Sequence, residues 1–211
     1  MKIGIVNASS QRDKNRLIEK ELLAAVKGHS MEVINFGITD QEPGNYSYIQ
    51  MAIATSLLLS SGAVDFVVTG CSSGTGMMLA CNGMPDVVCG YLANPTDAYL
   101  FGRINDGNAI SFPFGSIDGW AGELNLRYTL EKLFAEPFGI GYPLAEADRK
   151  LADTAQLKTL KKIAQKSLIT VLPQLEQSLL LPVLERPFFY EYVVKEGNDQ
   201  GLKKVLLDLK S

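Results

Sequence analysis

Histidine is nearly absent from these 211 residues. The single one, His29, sits in a Lys27-Gly28-His29-Ser30 turn, where a solvated loop role is the ordinary one, so histidine acid–base chemistry is not expected. Cysteine is scarce too. Cys71, Cys81 and Cys89 are odd in number and confined to one stretch, which argues against a disulfide framework and for a reducing cytoplasm. No zinc-ligand spacing occurs, and neither a metal nor a cofactor is expected. Neither charge sign dominates: 20 Lys and Arg against 23 Asp and Glu give a net charge of −3, which offers no basic field for nucleic acid. Apolar runs are broken by polar residues or proline well before the roughly 20 residues of a membrane span. The start, Met1-Lys2-Ile3-Gly4-Ile5-Val6, turns polar at Asn7 and lacks the apolar core of a secretory signal. These deficits leave a cytoplasmic globular chain with a small-molecule partner, and 46% hydrophobic residues suffice for one substantial core.

What is present alternates. Residues 2–7 read as a buried strand, Arg12 to Lys27 as a helix and Met31 to Phe36 as a second strand. Tyr48 to Ser61 follows as a helix and Val64 to Thr69 as a third strand. A short helix over Gly76 to Cys81, a strand over Asp86 to Leu92, a helix over Pro95 to Phe101, a strand over Asn108 to Pro113 and a helix over Gly119 to Phe134 complete the pattern. Such βα alternation with short connections predicts a three-layer α/β/α, Rossmann-like (flavodoxin-like) fold with a five-stranded parallel sheet. The expected strand order is 2-1-3-4-5, with a ligand crevice beside strands 1 and 3. The alternation stops near Glu136-Pro137-Phe138-Gly139. We therefore divide the chain into an α/β unit over 1–143 and a helical extension over 144–211, which packs on the core or on a partner subunit. Leu179 to Leu184 and Phe188 to Tyr192 are its apolar surface.

The segment Val67-Val68-Thr69-Gly70-Cys71-Ser72-Ser73-Gly74-Thr75-Gly76-Met77 carries the chemistry. A strand that empties into a Gly-rich turn and a helix start is where ligands bind in open parallel sheets. Backbone N–H groups at Gly74, Thr75 and Gly76 are placed to hold an anion and to lower the pKa of a nearby thiol. The expectation is a partly accessible Cys71 whose sulfur faces that turn. A buried structural cysteine beside a capping turn is the competing reading.

Cys71-Ser-Ser-Gly-Thr-Gly-Met-Met-Leu-Ala-Cys-Asn82 resembles, without a gap, the Cys-Gly-Thr-Gly-x-Gly-Met-Ser-x-Ala-Ala-Asn loop of the type B ribose-5-phosphate isomerase and galactose-6-phosphate isomerase family. Arg103-Ile104-Asn105-Asp106-Gly107-Asn108 looks like that family's x-His-Asn-Asp-Ala-Asn segment, and Asn45-Tyr46 falls at its Asp-Tyr. The resemblance covers about residues 1–143. It implies aldose–ketose isomerisation of a sugar phosphate through a cis-enediolate, with Cys71 as the base and Ser73 keeping the hydroxyl of the family's threonine. It further implies Asn105 and Tyr46 as substrate contacts, beside Gly74, Thr75 and Gly76. A site completed by a neighbouring subunit, hence a homodimer or homotetramer, is the family's arrangement.

The departures are as informative. The family's Asp-His pair corresponds to Ala8-Ser9, and its ring-opening histidine to Ile104, which carries no proton. Its arginine clamp is not recognisable around Gly139-Ile140-Gly141-Tyr142. Asn7 and Ser9 then remain as polar groups near the crevice, with Arg103 the first candidate for an anion contact and Arg127 and Arg149 behind it. An isomerase acting on an open-chain substrate with a weakened phosphate grip is the leading expectation. A non-catalytic sugar- or sugar-phosphate-binding or partner subunit is the alternative. A nucleotide or flavin module is weaker, because Gly70-x-x-x-Gly74-x-Gly76 is neither a Walker loop nor a dinucleotide fingerprint.

Overall fold

The computed structural model describes residues 1–210. Five parallel strands, β1 (Lys2–Asn7), β2 (Glu32–Asn35), β3 (Phe66–Cys71), β4 (Cys89–Tyr91) and β5 (Ala109–Pro113), form one sheet in the order β2-β1-β3-β5-β4. The sheet is Rossmann-like as expected, but the strand order is not 2-1-3-4-5. β5 lies between β3 and β4, pairing Val67 to Cys71 on one side and Cys89 to Tyr91 on the other. Burial explains the swap. Every residue of β5 is buried, whereas β4 is three residues long and ends in a partly exposed Tyr91, which suits an edge. β4 is also shorter than expected. The Asn108 side chain accepts from Val88 N (2.8 Å) and donates to the Asp86 carbonyl (2.7 Å), so backbone groups that would extend the ladder are already engaged.

Strand periodicity sorts the core into two layers. Ile3, Ile5, Phe66, Val68, Ile110 and Phe112 face one side, where α1 (Asn15–Ala25), α4 (Pro95–Leu100) and α5 (Gly122–Phe134) supply Ile18, Leu22, Ala98, Leu126, Leu130 and Leu133. Val6, Val67 and Cys71 face the other, against α2 (Tyr48–Ser60) and α3 (Thr75–Gly83). α2 opens on a capping box between Ser47 and Gln50, which satisfies N–H groups that the first turn leaves free. It is apolar all round, with Met51 to Ala54, Leu57 and Leu58 all buried. A helix of that kind needs cover on both faces.

The chain beyond residue 143 provides the cover. After α6 (Ala147–Ala164) come α7 (Leu168–Val171), α8 (Gln177–Leu184), α9 (Pro187–Glu196) and α10 (Gln200–Lys210). Leu180, Val183, Leu184, Phe189, Val193, Leu202 and Leu206 join the cluster around α2. The Leu179–Leu184 run is thus mostly spent on the chain's own core. α6 is different: Leu157, Leu160 and Ile163 are 48%, 62% and 78% exposed. No single helix among the described residues is long and apolar enough to cross a membrane.

Candidate active site

The sheet's strand order reverses direction between β1 and β3, and the crevice outside their carboxyl ends is the expected ligand position. Cys71 is the last residue of β3, 9% exposed and unbridged. Gly74 follows in a left-handed conformation (φ 74°) and starts α3. A Cβ there would meet the Tyr91 ring at 2.8 Å and the Phe112–Pro113 backbone at 3.0 Å, so only glycine fits on both counts. Ser111 Oγ donates to the Gly74 carbonyl (2.6 Å), and Gly115 N donates to the Ser72 carbonyl (2.9 Å), which pins the turn from both sides. No side chain caps α3, and its first N–H groups, at Thr75, Gly76 and Met77, remain for a ligand. Ser73 and Thr75 are exposed and Gly76 is half-buried.

Among the described residues the Cys71 sulfur accepts no hydrogen bond from the Gly74–Gly76 turn. Alternation along β3 puts Cys71 on the same face as Val67, in the α2–α3 layer.

The chain after β1 supplies groups that motif reading missed. Instead of opening directly into α1, residues Ser9–Lys14 form a tight 3-10 stretch with a non-helical Gln11 (φ −131°, ψ 29°). Gln11 Nε2 donates to Ser72 Oγ (2.7 Å), Lys14 Nζ donates to Gln11 Oε1 (3.1 Å), and Lys14 also pairs with Asp118 at 2.7 Å. A polar chain therefore runs from Asp118 to the residue beside Cys71. The only sequence signal for it is an unusual cluster of polar residues where a helix ought to begin.

Ser9 and Tyr46 are brought together. Ser9 Oγ accepts from Tyr46 N (2.7 Å) and Ser9 N donates to the Tyr46 carbonyl (3.2 Å). The Tyr46 ring lies 5.3 Å from the Arg186 guanidinium of the C-terminal region, beside a cavity of about 380 Å³ that both line with Phe188. Burial and the nearby Glu42 push the Tyr46 hydroxyl's pKa up, with Arg186 opposing. Arg186 is itself held by Glu42 at 2.7 Å, a contact across 144 positions that no local pattern announces.

Two expected contacts are corrected. Asn7 is fully buried, its amide donating to the Gln11 and Ile38 carbonyls (3.1 and 3.0 Å) and accepting from Asn15 Nδ2 (2.7 Å). With its polar atoms so engaged it ties the loops after β1 and β2 together and presents nothing to a ligand. Arg103 is also fully buried, lying over the Tyr99 and Phe138 rings and donating to the Leu133 carbonyl (2.9 Å). Burial lowers its pKa, and Glu136 partly offsets that. It braces α5 against the turn before β5 and has no face toward the crevice. Arg127 pairs with Glu21, and Arg149 with Glu146 and Asp153, so neither substitutes for it.

Asn105 is exposed, but at the other end of the sheet. It precedes Ala109, the first residue of β5, while Cys71 is paired with Pro113, the last. Five strand residues separate those ends by about 13 Å at 3.3 Å per residue. One chain does not bring Asn105 to its own Cys71.

The sequence profile described as Ribose/Galactose Isomerase matches residues 3–126. Among solved structures, a 4-deoxy-L-threo-5-hexosulose-uronate ketol-isomerase complexed with a tartrate is 42% identical, covering 99% of this chain and 100% of its own, with a TM-score of 0.93. A ribose-5-phosphate isomerase from Vibrio parahaemolyticus is 39% identical over 99% of both chains, with a TM-score of 0.94. The type B ribose 5-phosphate isomerase of Trypanosoma cruzi, at 16% identity, shares the fold over 78% of this chain with a TM-score of 0.65. No curated protein matches.

Proposed function

The chain belongs to the ribose/galactose isomerase family, and from that premise we propose that it interconverts the aldose and ketose forms of a small acidic sugar, with Cys71 as the base. The observation that carries this reading is Cys71 at the carboxyl end of β3, followed by Gly74 at the start of α3, which no side chain caps. As a thiolate, Cys71 takes the proton from the carbon next to the substrate carbonyl. The electron pair left behind forms a cis-enediolate, and the thiol returns the proton to the adjacent carbon. N–H groups of Thr75 and Gly76 stabilise the enediolate oxygens, and Ser73, exposed beside them, exchanges a proton with one of those oxygens. Gln11 positions Ser72, and through it the turn.

Substrate class follows from what the crevice lacks. Ile104 cannot open a sugar ring, Arg103 is fully buried, and Arg127 and Arg149 are paired with carboxylates. Arg12 donates to the carbonyls of Ser9, Glu42 and Gly44, and Arg186, beside Tyr46, is paired with Glu42. An open-chain substrate whose acid group needs no arginine clamp fits this better than a cyclic sugar phosphate. The relative named as a ketol-isomerase of a hexosulose uronate points the same way, while the ribose-5-phosphate isomerase keeps a sugar phosphate as the second candidate.

Asn105 enters the site from a second copy of the chain. The unpaired apolar row of α6 and the exposed Tyr48, Ile49 and Leu79 beside the Cys71 loop supply surface for such a homodimer.

Proton exchange in deuterated water, followed by NMR over 4-deoxy-L-threo-5-hexosulose uronate, ribose 5-phosphate and galactose 6-phosphate, tests the reading. Exchange is expected at the carbon next to the carbonyl, fastest with the uronate. Cys71→Ala is expected to slow it by about a hundred- to ten-thousandfold with the fold intact, and Cys81→Ala to leave it in place. No exchange with any of the three, or equal loss in both variants, defeats the assignment.

A further inference from the structure

Helix α6 is amphipathic in the reverse sense. Its apolar row, Leu157, Leu160 and Ile163, points outward, while Lys158, Lys161, Lys162 and Gln165, at helical spacing i, i+3, i+4 and i+7, line a cavity of about 410 Å³ together with Lys166. That volume lies in the range of small-molecule sites, about 300–1,000 Å³. The opposite wall is formed by the segments before β4 and β5, at the end of the sheet away from Cys71.

Charge in the cavity does not cancel. Two carboxylates line it: Asp106 pairs with Lys158, and Asp86 accepts from Ser60 Oγ (2.8 Å). Four lysines against two aspartates leave a net charge of +2. Lys161 Nζ and Gln165 Nε2 both donate to the Asn82 carbonyl at 3.0 Å, which leaves the buried Gln165 Oε1 without a donor among the described residues. Lys162 has no partner among them, and Lys166 reaches only the neutral Gln174 at 3.3 Å. Lysines in the last turn of a helix do complement its free carbonyls. Lys158 lies a turn earlier and Lys166 beyond the helix end, so that role does not account for their convergence on one cavity.

We propose that this cavity, which the segments before β4 and β5 line and Asn105 does not, is an anion site distinct from both the Cys71 crevice and the Asn105 half-site, and that it takes a small polyanion such as a phosphorylated or polycarboxylate metabolite. Lys162 and Lys166 are the principal charge contacts, and Lys161 forms the floor. Because Lys161 and Gln165 hold Asn82 near the end of α3, and α3 begins at the Cys71 loop, the site borders the catalytic layer without belonging to it.

Inorganic pyrophosphate is the probe. Calorimetric titration of the full chain is expected to show saturable binding that weakens with added salt. It should weaken at least about tenfold in Lys162→Gln/Lys166→Gln, a loss of about 1.4 kcal/mol. Both side chains are exposed, so the fold should persist, checked by an unchanged Tm. Lys195→Gln/Lys204→Gln removes the same charge from another surface and should bind like the parent, as should protein alkylated at Cys71. Absence of saturable binding, equal weakening in the two double variants, or loss of binding on alkylation overturns the proposal. The last outcome would place the anion in the crevice while leaving the isomerase reading intact.

Discussion

The two ends of the sheet hold opposite chemistry. At the carboxyl end, Cys71, Ser72, Ser73 and Thr75 present a thiol and hydroxyls around free backbone N–H groups, and the nearby cations Arg12 and Lys14 are already engaged. At the amino end of β5, charge dominates, with Asp106 against Lys158 and Arg103 within 4.0 Å of Glu136. A residue matched to the family's substrate-holding asparagine, Asn105, stands at this charged end. The difference teaches that the family's motif segments are not one site within one chain. On the reading proposed above they are two half-sites, joined only where opposite ends of two copies meet.

Mixing inactive variants is the strongest way to break that comparison. Cys71→Ala and Asn105→Ala are each expected to be inactive alone. Unfolded and refolded together, they should regain about a quarter of the parent activity, because half of the dimers are mixed and each mixed dimer holds one intact site. A mixture as dead as its components would mean that Asn105 never reaches a partner's Cys71.

A smaller effect separates covered from uncovered apolar surface. Leu184 is 1% exposed and Leu160 62%. Leu184→Ala should destabilise the fold by about 2–5 kcal/mol in denaturant titrations. Leu160→Ala should leave the fold's stability nearly unchanged and instead raise the dimer dissociation constant measured by ultracentrifugation. Equal folding losses at both positions would show that α6 packs inward after all.

The smallest effect sharpens the charged end. Lys2, at the start of β1, bonds Glu196 at 2.9 Å, which lowers the Glu196 pKa and raises that of Lys2. The carboxylate's contribution is present above its unfolded pKa and is lost as pH falls through the depressed folded value. The lysine's is lost as pH rises through its raised value above 10.5. Glu196→Gln should therefore lower the Tm only slightly at neutral pH, and the difference from the parent should vanish in acid. A difference that persists in acid would assign Glu196 a packing role.

Much of the fold was legible because it rests on local pattern. The short, continuously buried runs in Lys2–Asn7 and Phe66–Cys71, the Ser47–Gln50 cap and the Gly-rich turn at Gly74 each act within a few residues. The Cys71 loop was readable for the same reason: strand, turn and helix start are contiguous. Strand order was not readable, since β3-α3-β4-α4-β5 alternates identically whether β5 lands beyond β4 or before it. Only the length and burial of the two strands, in competition for the place beside β3, decide.

By itself, then, the sequence determined the layered α/β class and the turn that follows Cys71. Each follows from short-range conformational preference or from composition. Tertiary structure alone decided that Asn7 and Arg103 are buried braces, that Gln11 and Lys14 reach Ser72, that Arg186 backs Tyr46, and that lysines rather than leucines face inward on α6. Those outcomes depend on which distant segments meet, and a side chain's polarity does not reveal whether its partner will be water, a carbonyl 30 residues away, or another copy of the chain.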